Sequence, residues 1–132
     1  MKSALLYLWQ LPQNILGIAV IIFTKARYND ISDDKSENYW LTKKFRFGVS
    51  LGNYIIFGNI RVTPNTLNHE KGHQKQSLYL GPLYLILIGI PSFCGNIYDR
   101  IFHRKWDNRK RVRWYYGQPW EAWADRLGNV KR

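Results

Sequence analysis

The chain has 132 residues, a net charge of +11, 45% hydrophobic and 16% aromatic residues, and a single cysteine. That length suits one domain, 1–132, with one modest core, and the lone Cys94 excludes an intramolecular disulfide and any multi-cysteine zinc knuckle. So large a positive excess points to nucleic acid or an anionic membrane surface, unless it is simply a solvated face.

Residues 3–24 (SALLYLWQLPQNILGIAVIIFT) carry no charge, and as a helix they would cross a hydrocarbon core of about 30 Å. A polar break at Gln10, Pro12, Gln13 and Asn14 predicts a helix over 4–23 kinked at Pro12. The segment lacks the basic start and small-residue cleavage site of a secretory leader, so it is expected to be retained, with 1–24 as a candidate membrane anchor. Residues 24–43 read as a polar, exposed and mobile connection around Asp-Ile-Ser-Asp-Asp-Lys-Ser-Glu-Asn. Residues 44–60 (KFRFGVSLGNYIIFGNI) are rich in β-branched and aromatic residues around Gly52-Asn53, which predicts a hairpin.

A helix follows, with Thr63 suited to its N-cap and Pro64 to its first turn, running to about Ser77. Residues 76–98 (QSLYLGPLYLILIGIPSFCGNIY) form a second uncharged window, broken at Gly81-Pro82 and at Gly89-Ile90-Pro91. Next comes a basic run from Arg100 to Arg113, interleaved with Trp106 and ending on Trp114, Tyr115 and Tyr116. Basic residues among aromatics suit stacking on bases or the headgroup belt of a bilayer. The two uncharged windows favour the membrane over nucleic acid. A last helix, 119–127, has Pro119 in its first turn and Gly128 as its stop.

The stretch TPNTLNHEKGH (63–73) holds two of the three histidines. Spacing i, i+4 puts His69 and His73 on one helical face, where two imidazoles can grip one Zn²⁺, and Glu70 flanks that face within reach of a water. Lys71 and Lys75 fall on the other side. Gly72 costs a helix up to ~1 kcal/mol against alanine, which makes sense if another backbone must pass close. A third ligand is needed, and Glu37, Glu121 and His103 are the candidates. Glu37 lies in the polar connection with no element to hold it. Glu121 lies in PWEAWADRLG with Asp125 at i+4, and a ligand carboxylate beside one that orients a ligand histidine suits a metal centre. The alternative for this pair is a solvated helix face beside Arg126.

His-Glu-Lys-Gly-His, followed in the last helix by Glu-Ala-Trp-Ala-Asp, resembles the gluzincin clan of zinc metallopeptidases, most of all its small single-domain members. The likeness covers 44–128 in outline and is specific at the five site residues and Gly72. It implies an α+β, zincin-like fold: a small hairpin or sheet, an HExxH active-site helix and a C-terminal glutamate helix, here with two added apolar helical segments. It also implies that His69, His73 and Glu121 bind zinc, that Glu70 is the general base, that Asp125 holds the ring of His69, and that an edge strand of the 44–60 hairpin aligns an extended peptide. No motif marks the group that steadies the transition state; Tyr115, Tyr116 and His103 are the candidates. A metzincin pattern is excluded, because Gln76 stands where a glycine is required and no third histidine follows. The phrases LPQN and GHQKQSLYLGPLYL are also similar to a group of small uncharacterised bacterial proteins.

The expected activity is zinc-dependent hydrolysis of a peptide or protein substrate, with Zn²⁺ polarising the carbonyl and acidifying water and Glu70 moving the proton. Two rivals remain. One is a non-enzymatic basic, aromatic module that binds anionic membrane or nucleic acid, with a structural metal or none. The other is an inactive or self-inhibited zincin. A shared metal also constrains topology, since His73 precedes the window 76–98 and Glu121 follows it. The window is therefore expected to be re-entrant or buried beneath the site, with 3–24 as the anchor. Positive charge on both flanks puts the site on the cytoplasmic face of a bacterial membrane.

Overall fold

In the computed structural model, which describes residues 2–29 and 38–132, the uncharged N-terminal stretch is two helices, α1 (Lys2–Trp9) and α2 (Leu11–Thr24), bent by 85°. The bend falls at Gln10 and not at Pro12, which sits in the first turn of α2, where its missing N–H costs nothing. What looked like a polar break in an apolar span is a buried network. Ser77 Oγ donates to Gln10 Oε1 (2.7 Å), Gln13 Nε2 donates to Ser77 Oγ and to the Gly81 carbonyl (2.8 Å each), and Asn14 Oδ1 accepts from the Asn53 N–H (2.8 Å). Gly81 adopts φ +54 with the Trp9 indole against its Cα, and Trp9 Nε1 donates to the Leu78 carbonyl. The phrases LPQN and GHQKQSLYLGPLYL thus touch each other. A straight span over 3–24 is not formed, and α2 alone, with 14 residues, reaches only about 21 Å.

Four short strands make one mixed sheet in the order β1-β2-β4-β3: β1 (Arg27–Asn29), β2 (Tyr39–Leu41), β3 (Gly48–Leu51) and β4 (Tyr54–Phe57). The hairpin read from the sequence is β3–β4, turning at Gly52 (φ +64), with Val49 opposite Ile56. Strand β4 supplies the core through Ile55, Ile56 and Phe57 and pairs parallel with β2. Strands β1 and β2 correct the reading of 24–43 as mere connection. Their partners are each other and β4, so a short local stretch gives no sign of them; the Tyr28 and Trp40 rings meet across the pair at 5.1 Å. Residues 30–37, including Glu37, lie outside the described residues.

Helix α3 (Pro64–Leu80) starts where Thr63 Oγ1 accepts from the Thr66 N–H. It is crossed at close range by α6 (Pro119–Gly128). A methyl at Gly72 would strike the Ala124 carbonyl, and one at Gly128 would strike that of Asn68. Between them, Gly81–Leu83 is a 3-10 turn, a π turn covers Leu85–Gly89, and α4 runs over Ile90–Phe102. Gly81-Pro82 therefore breaks the chain as expected, but Gly89-Ile90-Pro91 does not. A widened helical turn tolerates the missing N–H of Pro91 and the clash of its ring with the preceding turn.

The continuous Leu85–Phe102 helix is long and apolar enough to cross a membrane by length and composition (18 residues, mean hydropathy 1.2), yet only 6% of it is buried. It is thus not the buried segment expected. The return to the site is made by α5 (Asn108–Tyr116), which runs back along α4: Arg111 donates to Asp99 at 2.7 Å, Trp114 stacks on Tyr98, and the Tyr115 and Ser92 hydroxyls lie 3.1 Å apart.

Candidate metal centre

One turn of α3 separates His69 from His73, and the α3–α6 crossing, made close by Gly72 and Ala124, delivers Glu121 to the same point. His69 Nε2 and His73 Nε2 lie 3.0 and 3.1 Å from Glu121 Oε2 and 3.1 Å from each other, and all three residues are buried. Tetrahedral zinc with N and O ligands at ~2.0–2.1 Å places ligand atoms about 3.3 Å apart, so the set fits such an ion with small adjustments. Glu121 Oε1 is buried with no hydrogen-bond partner. A buried carboxylate oxygen without a partner is costly, and a cation would relieve it.

The outer nitrogens of both rings are held. His69 Nδ1 lies 2.7 Å from Asp125 Oδ1, and Asp125 in turn accepts from Arg132 Nε and Nη2. His73 Nδ1 lies 2.6 Å from Gln76 Oε1, while Gln76 Nε2 donates to the Trp120 carbonyl. With acceptors at both Nδ1 atoms, the Nε2 lone pairs face inward, as metal-binding imidazoles require. Arg132 was not singled out from the sequence, and Gln76 entered only as the residue that breaks the metzincin pattern. Gln76 stands one turn after His73 and was legible on that ground; Arg132 reaches the site only through the path of the chain after α6.

The charges reinforce the arrangement. Burial disfavours a charged His69 ring, but bonds to Asp125 and Glu121 and the nearby Glu70 carboxylate outweigh it, raising its pKa to about 9. Burial would raise Glu121, but the two imidazoles hold its carboxyl well below the usual range. Asp125 is likewise lowered against its partial burial, by His69 and Arg132. Glu70 goes the other way: burial pushes its pKa up, against the pull of His73 and His69.

Glu70 faces the same cleft as His69 and His73. Its Oε2 is buried without a partner, and its Oε1 sits so close under Gly48 of β3 that a methyl there would meet it at 2.9 Å. Tyr84 pins β3 over α3 by donating to the Ser50 carbonyl at 2.9 Å. In the strand order β3 is an outer strand. The cleft has a volume of about 1120 Å³, with α2 and α4 as its side walls. Tyr115 and Tyr116 both line it. The Tyr116 ring meets His69 edge-on at 5.0 Å, the Arg132 guanidinium covers it at 3.3 Å, and burial pushes its pKa up to about 12, so the phenol keeps its proton.

His103 is not a lining residue of this cleft. Its Nδ1 is bound to Asp99 and its ring is stacked on Trp106 at 3.6 Å, a structural role at the end of α4. Lys75 is exposed and caps α6 by donating to the Leu127 carbonyl. Set against family models, curated proteins and solved structures, the chain matches none.

Proposed function

We propose that this chain is a zinc-dependent peptidase with a zincin-like site, in which α3 is the HExxH helix and α6 the glutamate helix. The observation that carries the reading is one juxtaposition. Three buried donor groups, His69, His73 and Glu121, converge at one point, and beside them a fourth group, Glu70, keeps an unpartnered carboxylate oxygen in a cleft. Two imidazoles and one carboxylate suit zinc while leaving a position open, and a free carboxylate at its side favours hydrolysis over the oxygen chemistry that iron performs with a similar ligand set. Bound zinc supplies Lewis acidity to a carbonyl and to a water.

The chain's own residues do the rest. Glu70 takes the proton of the attacking water and delivers it to the leaving amine, transfers worth roughly 10²–10⁴-fold. Tyr115 and Tyr116 offer phenolic donors to the developing oxyanion. The outer edge of β3 offers backbone hydrogen bonds to an extended peptide.

Elemental analysis of the purified protein, beside hydrolysis of a peptide library by the wild type and by Glu70→Gln, tests this. The expectation is one zinc per chain in both proteins and loss of hydrolysis in the variant. A chain without zinc, or a variant as active as the wild type, would return the protein to the reading of a basic, aromatic binding module.

A further inference from the structure

Among the described residues, most of the exposed large apolar side chains lie on the helices that wall the cleft. On α2, Ile22 is 67% and Phe23 84% exposed; on the Leu85–Phe102 helix, Ile86 is 62% and Phe102 64% exposed. Leu16, Ile90 and Phe93 belong to both surfaces, since they line the cleft and are themselves exposed. Apolar surface on this scale marks an interaction site in a soluble chain. Its rim is basic: Lys25 caps α2 and Arg27 opens β1, Arg100 lies in the last turn of α4, and Arg104 and Lys105 follow it, all exposed. Exposed Trp9 and Tyr79 add aromatic rings of the kind that settle at a headgroup layer.

The placement of α5 argues against a crossing. It is tied along α4 through Asp99–Arg111 and Ser92–Tyr115, so a spanning α4 would draw Arg113, which lies between those ties, towards hydrocarbon, which charged side chains resist. The 85° elbow at Gln10 likewise suits a helix pair lying on a membrane better than a straight crossing.

We infer that α2 and the Leu85–Phe102 helix seat the chain in the surface of an anionic bilayer with the cleft mouth in the membrane plane, so that the centre receives an apolar, membrane-partitioned polypeptide segment. The substrate half of this statement rests on the peptidase reading; the membrane seat does not. The cleft suits such a segment because apolar side chains (Val20, Phe45, Phe47, Leu85) line it together with His69, Glu70 and His73. A strand added to β3 would project alternate side chains against those walls.

The test uses the full chain and Ile22→Glu/Ile97→Glu, two exposed positions outside the cleft lining. Flotation with phosphatidylcholine vesicles, with and without phosphatidylglycerol, is measured in chelator and in zinc. Wild type is expected to float with the anionic vesicles in both conditions and at least about tenfold less with the neutral ones, given several basic residues near the surface. The double variant is expected to stay in solution while retaining zinc and the wild-type circular dichroism. A fluorophore on Cys94, exposed on α4, should be quenched by brominated lipid. Equal flotation of the variant, no flotation of wild type, or a wild-type soluble dimer that shields Cys94 would each overturn the inference.

In the second arm, an apolar peptide embedded in vesicles is expected to be cleaved at least about tenfold faster than a polar peptide in solution, a preference the double variant loses. Equal rates, unchanged by the variant, would sink the inference and leave the peptidase standing. Flotation without cleavage of either peptide would sink the peptidase reading and leave the membrane seat standing.

Discussion

His69 and His73 share one target but differ in what stands behind them, a carboxylate at His69 and an amide at His73. A carboxylate partner makes a ring more basic than an amide does, and this has a pH consequence. In the metal-free protein the His69 pKa is raised from 6.5 to about 9. The stability this contributes is fully present below the unfolded value of about 6.5 and is lost as pH rises through the folded value. Zinc needs the neutral ring, so uptake near neutral pH should release about one proton from this site. Calorimetry in buffers of different ionisation enthalpy measures that number; a value of zero would mean that His69 is already neutral. Asp125→Ala should weaken zinc ~10–100-fold without abolishing binding, and chelator competition reads the shift directly. Unchanged affinity would mean that the bond between Asp125 and His69 does not tune the centre.

Among the elements, the decisive contact is between α3 and α6, because one candidate ligand comes from the second helix and two from the first. Gly72 makes that approach possible. Two effects compete in Gly72→Ala: alanine gains up to ~1 kcal/mol in helix propensity, while forcing a methyl into a filled space costs about 1–3 kcal/mol. The obstructing atom is a backbone carbonyl, which cannot rotate aside as a flexible side chain would. Clash should therefore win. Thermal unfolding is expected to show a destabilised variant, and zinc titration a weakened site as Glu121 is pushed from the histidines. A more stable Gly72→Ala would contradict the close crossing. The elbow of α1 and α2 makes a comparable prediction. Gln13→Leu removes the donor to Ser77 Oγ and to the Gly81 carbonyl, and stranding buried polar partners costs about 1–3 kcal/mol, measurable by urea denaturation.

Across the whole molecule, the exposed apolar side chains of α1, α2 and the Leu85–Phe102 helix contrast with the exposed basic side chains of α5. Asn59 precedes that helix and Lys110 follows it, and both are exposed. If the helix lies on a membrane and does not cross it, the two positions share one aqueous side. In a Cys94→Ser background, Asn59→Cys and Lys110→Cys should label alike with an impermeant maleimide in sealed, oriented vesicles. Opposite labelling would require α4 to cross, and His73 and Glu121 could then not share an ion.

What the sequence determined by itself was local. The Thr63 cap, the shared face of His69 and His73, the pairing of Glu121 with Asp125 and the close approach at Gly72 all follow from the 3.6-residue period and from residue chemistry within a turn or two. The β3–β4 hairpin was legible for the same reason, since a tight turn and alternating side chains are short-range signals; the α+β class was what the gluzincin resemblance implied. Tertiary structure decided whatever depends on partners far along the chain. Composition cannot tell a polar break in a membrane helix from a buried network; Gln10, Gln13 and Asn14 became the latter only because Ser77, Gly81 and Asn53 stand opposite them. It cannot tell an apolar core helix from an apolar surface helix either; Leu85–Phe102 is the latter because α5 and α6 reach only part of it and most of its length stays exposed. Strands β1 and β2 exist through each other and β4, and Arg132 reaches the candidate metal centre only because the chain after α6 returns to Asp125 and Tyr116. Burial and hydrogen bonding are satisfied by neighbours in space, and sequence order does not name those neighbours until the chain has folded.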